Sequence, residues 1–218
     1  MTEIKGFIFD LDGVLTDTAE FHYRAWKRMA DEEGISFTRE DNEHLRGVSR
    51  RESLARLLKG RPISEAEAQA WMARKNSYYR ASIHAITPGD LLPGVLAFLN
   101  EAHGRGIKLA LGSASRNARD VLHSLGILEQ FEAIGDGNSV SRTKPAPDLF
   151  VWVAGRLNLP PSACVVFEDA EAGIEAALVA GAHCIGIGPH ERVGRAHVVL
   201  SNGLADTSAD ALLKRILT

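Results

Sequence analysis

The sequence predicts an α/β fold in which a doubly wound, parallel, Rossmann-like sheet carries an inserted all-helical cap domain. Apolar segments of strand length recur along the chain with helical patterns between them, and they do not alternate with polar residues. Such runs are typical of strands buried on both faces, joined by helical crossovers. One long interval near the start is helical throughout, which predicts the insertion.

The predicted strands are short runs rich in Val, Ile, Leu and Phe, bounded by Gly, Pro or charged residues. The third and the sixth are the weakest of them. In chain order they are Ile4–Phe9, Ile107–Leu111, Phe131–Ile134, Cys164–Phe167, Cys184–Ile187 and His197–Leu200. Because helical patterns separate the last five, we expect them to be parallel.

The helical interval runs from about residue 18 to about residue 86 and contains charge-rich amphipathic stretches such as "SEAEAQAWMARKNSYYR". Its edges have the composition of hinges: "LTDTAE", with Asp17 and Glu20 spaced as a capping box, and "ITPGDLLPG", rich in Pro and Gly. We therefore predict a core of residues 1–16 and 87–218 and a cap of residues 17–86.

Composition excludes several classes of function. The chain of 218 residues has a net charge of -3 and is 24% charged, as in ordinary globular proteins. It has no basic excess for nucleic acid, no apolar run of membrane-spanning length and no signal-peptide layout, so we expect a cytoplasmic protein without nucleic-acid or membrane partners. Cys164 and Cys184 lie in strand-like runs, which favours buried thiols over a disulfide.

Polar side chains follow four of the predicted strands. In an open parallel sheet, ligands bind beyond the carboxyl ends of the strands, so these residues are expected to meet at one edge. They are Asp10, Asp12, Ser113, Lys144, Glu168 and Asp169. Carboxylates, a hydroxyl and an amine in one cluster would hold a hard cation and a phosphoryl group.

Four segments, "FDLDGV", "GSAS", "TKPAP" and "FEDAEAG", resemble in this order the motifs of the haloacid dehalogenase superfamily of phosphotransferases. Each motif alone is weak, but four in the expected structural contexts are specific, and the resemblance covers essentially the whole chain. A carboxylate that attacks a phosphoryl dianion meets a repulsion of about 4 kcal/mol per charge pair at about 4 Å. The resemblance thus implies a divalent cation, Mg²⁺, which removes this repulsion.

In this interpretation each polar residue has a role. The predicted Mg²⁺ ligands are Asp10, the backbone carbonyl of Asp12, Glu168 and Asp169. We expect Asp10 to be the nucleophile that forms an aspartyl-phosphate, and Asp12 the general acid and base. Lys144 and Ser113 would hold the oxygens of the transferred phosphoryl group.

The segments "LTDTAEFHYRAWKRM", "LRGVSRRESL" and "GSASRN" resemble the sugar-phosphomutase members of the superfamily. This implies interconversion of β-D-glucose 1-phosphate and β-D-glucose 6-phosphate through β-glucose 1,6-bisphosphate. Carried over by position, Thr18 lies at the hinge, His22 and Trp26 face the sugar, and Arg50 binds the distal phosphate. Further substrate contacts are predicted at Arg46, Gly47, Val48, Ser49, Ala114, Ser115, Arg116 and Asn117.

Physical reasoning supports part of this assignment. His22 and Trp26 share one helix face, and a substrate with a phosphate at each end needs a second anion site, for which Arg50 and Arg116 are suited. Structural roles are the alternatives: Trp26 could pack in the cap, and Arg50 could be a solvated helix start. Arginines stand at positions 46 and 116 where the family often has lysine.

Two other functions fit the same core. A sugar-phosphate or phosphoglycolate-type phosphatase differs only in that water accepts the phosphoryl group, which depends on how well the cap excludes water. A non-catalytic binding module with this fold is the third reading, although the reactive residues are all present. We expect a monomer, because the site needs one chain.

Overall fold

A six-stranded parallel sheet forms the centre of the protein in the computed structural model, which describes residues 3–217. The strand order is β3-β2-β1-β4-β5-β6, so the first strand lies in the middle. The strands are β1 Gly6–Phe9, β2 Lys108–Gly112, β3 Ala133–Gly135, β4 Cys164–Glu168, β5 His183–Ile187 and β6 Val198–Leu200. The six predicted strands are all present, and the predicted fold class is confirmed.

Strand β1 shows why this sheet is buried on both faces. Phe7 and Phe9 point to one side, where the ring of Phe9 stacks on Phe167 with centroids 4.6 Å apart. Ile8 points to the other side and packs in a second apolar cluster with Phe150. All of these side chains are fully buried, which is why the strand is apolar without alternation.

Helices cover both faces of the sheet, as crossovers between parallel strands require. They are α5 Val95–Gly104, α6 Ala118–Ser124, α7 Asp148–Arg156, α8 Glu171–Val179, α9 His190–Val193 and α10 Ala209–Leu217. Within the described residues, no helix is both long and apolar enough to span a membrane.

Four α-helices lie between β1 and α5: α1 Ala19–Glu32, α2 Arg39–Glu43, α3 Arg50–Leu58 and α4 Glu65–Ile83. They share an apolar cluster of their own around Trp26, Met29 and Trp71. The predicted capping box at Asp17 and Glu20 is wrong: Asp17 accepts from the backbone N–H of Ala19, whereas Glu20 pairs with two arginines.

The two connections between these helices and the sheet run side by side. The backbone N–H of Leu92 donates to the carbonyl of Leu15 at 2.9 Å, and the Thr16 hydroxyl donates to the carbonyl of Asp90 at 2.8 Å. The predicted boundaries, residues 1–16 and 87–218 for the core and 17–86 for the cap, stay a prediction. We use the word cap below for helices α1–α4.

Candidate active site

Three carboxylates meet at the carboxyl edge of the sheet. Asp10 follows β1, and its backbone N–H donates to the carbonyl of Phe167 in the adjacent strand at 2.9 Å. Glu168 ends that adjacent strand, and Asp169 follows it. One carboxylate oxygen from each of Asp10, Glu168 and Asp169 lies within 4.8 Å of the others, and all three residues are buried. Strand order therefore creates this cluster.

A single ammonium group lies behind the carboxylates. Lys144 is fully buried, and its Nζ donates to Asp10 Oδ1 at 2.6 Å and to Glu168 Oε1. Burial alone would lower the pKa of Lys144, but the two carboxylates outweigh it and raise the pKa above its ordinary value. Burial, with Glu168 and Asp10 beside it, raises the pKa of Asp169.

The donor set fits a hard divalent cation. It consists of buried carboxylate oxygens from three residues, the type of ligand that hard divalent cations prefer. Glycines make room for this packing. Gly13 adopts a left-handed φ of +80°, and a Cβ there or at Gly173 would collide with Asp169 or Glu168, respectively.

Asp12 is directed away from the cluster and toward the cap. Its backbone N–H donates to Asp10 Oδ2 at 3.1 Å, while its carboxylate accepts from the Thr18 hydroxyl and lies 3.9 Å from His22 Nε2. Burial and the charge of Asp10 raise the pKa of Asp12 to about 6. A carboxyl group with such a pKa can exchange protons near neutral pH.

Lys75 is a buried site residue that sequence reasoning missed. Its Nζ lies 2.9 Å from His22 Nδ1. The same atom lies 5.0 Å from the ring centroid of Trp26 and 4.9 Å from that of Tyr79. Burial lowers its pKa well below the ordinary value, and the nearby Arg50 guanidinium lowers it further. A signal was available, because position 75 falls on the buried stripe Ala68, Trp71, Met72, Lys75, Tyr79 and Ile83 of α4.

The opposite end of the cavity is basic. Arg50, the first residue of α3, is partly buried, and burial together with Arg116 lowers its pKa to about 10. Its Nη2 donates to the side-chain oxygen of Asn76 at 2.7 Å, and Asn117 donates to the same oxygen at 2.9 Å. Sequence reasoning also missed Asn76.

Arg46 joins the cap to the carboxylate cluster. Its Nη1 donates to Asp169 Oδ2 at 3.2 Å, and its Nε donates to Glu43 Oε2 at 2.7 Å. On the core side, Arg192 Nε donates to the backbone carbonyl of Asp169 at 2.7 Å. Arg46, which the sequence predicts to contact the substrate, thus also forms an ion pair between the cap and the core.

One cavity of about 90 Å³ is lined by residues of both ends. Most predicted site residues line it: Asp10, Asp12, His22, Trp26, Arg46, Gly47, Val48, Arg50, Ser113, Ala114, Ser115, Arg116, Asn117 and Asp169. Residues that the prediction missed also line it, among them Asn42, Leu45, Ser53 and Lys75.

Four predicted residues lie outside this lining. Lys144 and Glu168 are buried beneath Asp10. Thr18 is fully buried and bonded to Asp12, and the Ser49 hydroxyl caps α3 by accepting from the N–H of Glu52; their predicted substrate contacts stay a prediction. Both side chains are used for local structure.

Fold and site together define a phosphotransferase class of protein, and the similarity of this chain to known proteins agrees with that class. The haloacid dehalogenase-like hydrolase family matches residues 4–181, and the chain belongs to this family.

Within the family, the chain is 44% identical over 189 residues to Beta-phosphoglucomutase of Bacillus subtilis, covering 85% of this chain and 84% of that protein. A crystal structure of beta-phosphoglucomutase from Clostridium difficile superimposes with a TM-score of 0.94 at 39% identity, covering 97% and 96% of the two chains. Hexitol phosphatase A of Escherichia coli is 34% identical, covering 84% of this chain and 82% of that protein.

Proposed function

We propose that this protein interconverts β-D-glucose 1-phosphate and β-D-glucose 6-phosphate through β-glucose 1,6-bisphosphate. The observation that carries the proposal is the two-ended cavity, with the carboxylates of Asp10, Asp12 and Asp169 at one end and Arg50 with Arg116 at the other. A sugar with a phosphate at each end needs two such anion sites. The similarity to phosphoglucomutases over most of the chain supports the same activity.

The carboxylate cluster is the proposed site of Mg²⁺. Asp10, Glu168, Asp169 and the backbone carbonyl of Asp12 would hold the ion, whose preference is for oxygen ligands. When bound, Mg²⁺ neutralises the negative charge that otherwise opposes attack of a carboxylate on a phosphoryl group.

Asp10 is the proposed nucleophile. Its carboxylate attacks phosphorus, the aspartyl-phosphate forms, and the bond from phosphorus to the sugar oxygen breaks. Lys144 holds Asp10 in place through its 2.6 Å hydrogen bond. Ser113 lies at the end of the adjacent strand β2, where its hydroxyl can bind an oxygen of the transferred group.

Asp12 is the proposed general acid and base. It protonates the leaving sugar oxygen and later removes the proton from the hydroxyl that accepts the phosphoryl group. Its raised pKa of about 6 suits both directions. The Thr18 hydroxyl, bonded to Asp12, orients the carboxylate rather than touching the sugar.

The cap supplies the proposed sugar contacts. His22 and Trp26 line the cavity from α1, and the loop of Arg46, Gly47 and Val48 closes one wall. We assign residues 17–86 to this cap and residues 1–16 and 87–218 to the catalytic core. A closed cap favours transfer to a sugar hydroxyl because it excludes the competing water.

The test is phosphorus NMR of the protein with Mg²⁺, β-glucose 1-phosphate and a trace of glucose 1,6-bisphosphate. We expect glucose 6-phosphate to accumulate while free phosphate stays near background. Dominant release of free phosphate would identify a phosphatase instead and overturn the proposal.

We further propose that the protein acts in the cytoplasm as a monomer. Cys164 and Cys184 are buried free thiols, as is usual in a reducing compartment. The cavity is lined by residues of one chain, so catalysis needs no second copy.

A further inference from the structure

Asn76 joins the cap to the core at the basic end of the cavity. It lies on α4, next to the buried Lys75, and its side-chain oxygen accepts two hydrogen bonds. One comes from Arg50 Nη2 at 2.7 Å, within the cap. The other comes from Asn117 Nδ2 at 2.9 Å, in the loop that follows β2. A single atom therefore connects the two halves of the basic site.

The core partner is itself held in place. Asn117 is 8% exposed, and its backbone N–H donates to the Ser115 hydroxyl at 3.3 Å. The N–H of Ser115 donates in turn to the Ser113 hydroxyl at 3.2 Å. The loop that carries Asn117 and Arg116 is thus tied to the phosphoryl end, and Asn76 sets the position of Arg50 relative to it.

The chemical type of residue 76 matters as much as its position. An amide oxygen orients a guanidinium group without neutralising it, whereas a carboxylate at the same place would form an ion pair. Among residues 3–217, Arg50 Nη2 donates to this amide, and the like charge of Arg116 helps to lower the pKa of Arg50. The positive charge of both arginines stays available for an anion.

We propose that Asn76 is the positioning residue of the second anion site, and that it assembles this site only when the cap lies on the core. This rests on the proposed mutase function, because that reaction is what requires a second phosphate to be held. Arg50 provides the positive charge, and Asn76 orients the guanidinium group that carries it. The reaction of a substrate without a second phosphate does not depend on Asn76.

The experiment compares two reactions in Asn76→Leu and Asn76→Asp. The first is conversion of β-glucose 1-phosphate with a trace of glucose 1,6-bisphosphate, from which KM and kcat are measured. The second is hydrolysis of acetyl phosphate, which has one phosphate and uses only the carboxylate end. Asn100, an exposed asparagine on α5, supplies the matched controls Asn100→Leu and Asn100→Asp. The Tm of every variant reports folding.

We expect Asn76→Leu to raise KM for the sugar phosphate by about tenfold or more, the loss expected for a hydrogen bond to a charged group, and Asn76→Asp to raise it by a similar factor because its carboxylate pairs the charge of Arg50. Acetyl phosphate hydrolysis should stay within about twofold of the wild type. The Asp variant is the sharper one, since it keeps both hydrogen bonds but pairs the charge of Arg50. A wild-type KM in Asn76→Asp, or an equal loss in both reactions, would show a merely structural role and overturn the inference.

Failure of the proposed function would look different. In that case wild-type protein forms no glucose 6-phosphate, and the same comparison is made with hydrolysis of glucose 1,6-bisphosphate. A raised KM for the bisphosphate with unchanged acetyl phosphate hydrolysis would still support Asn76, and an unchanged KM would reject it.

Discussion

The two ends of the cavity are built in different ways. At the phosphoryl end, Asp10, Glu168 and Asp169 come from adjacent strands of one sheet and are buried in the core. At the basic end, Arg50 and Asn76 come from two cap helices and meet Asn117 of the core. The first site exists wherever the sheet is folded. In our proposal the second forms only when the cap lies on the core, so the comparison separates the reacting groups from the groups that select the substrate.

The strongest way to test this comparison is to remove the nucleophile. Asp10→Asn should lower turnover of every substrate by on the order of 10⁴-fold or more, because no covalent intermediate can form. Phosphorus NMR with β-glucose 1-phosphate and with acetyl phosphate measures both reactions. Asp120→Asn, at an exposed position of α6, is the control. Retained turnover of either substrate would mean that another group attacks phosphorus.

Arg50→Met is expected to have a smaller effect on the kinetics, confined to the basic end of the cavity. Loss of the guanidinium should raise KM for the sugar phosphate by roughly 10- to 100-fold, as for a lost charge-assisted hydrogen bond, and leave acetyl phosphate hydrolysis unaffected. Steady-state kinetics provides the measurement. The neighbouring Arg51, which is exposed and paired with Glu65, allows the matched change Arg51→Met. The comparison between the two ends fails if Arg50→Met slows both reactions alike.

The smallest expected effect is on stability, at Lys75 between the two ends. Burial lowers the pKa of Lys75 in the folded protein below the ordinary 10.5. Between the folded and the unfolded pKa the unfolded chain binds more protons, so this residue reduces stability at pH 7 and the reduction disappears as pH rises toward 10.5. Lys75→Met should therefore raise the Tm at pH 7 by about 2–4 °C, the shift that about 1 kcal/mol causes in a chain of this size.

Differential scanning calorimetry at pH 7 and near pH 10 measures this gain and its decrease at the higher pH. Lys27→Met, at a partly exposed lysine paired with Asp31, should change the Tm little. A lower Tm for Lys75→Met would mean that the hydrogen bond to His22 outweighs the desolvation of the ammonium group.

Much of the core was predictable because its signals are local. Unbroken apolar runs mark strands buried on both faces, and carboxylates directly after β1 and β4 mark their ends. The cap was harder to predict. Lys75 and Asn76 lie in the charge-rich helix α4, where a lysine and an asparagine are ordinary surface residues unless the buried face of the helix is known. For Thr18 and Ser49, the structure adds hydrogen bonds that the sequence did not predict, from the Thr18 hydroxyl to Asp12 and from the N–H of Glu52 to the Ser49 hydroxyl.

By itself, the sequence determined the parallel sheet, the inserted helices and the carboxylates that meet at the sheet edge, because strand ends and hydrophobic periodicity are written in short stretches of chain. Only the tertiary structure decided how the cap lies on the core. It places Arg46 on Asp169 and joins Arg50 to Asn117 through Asn76. These contacts connect residues far apart in the chain through side-chain geometry, and no local pattern carries that information.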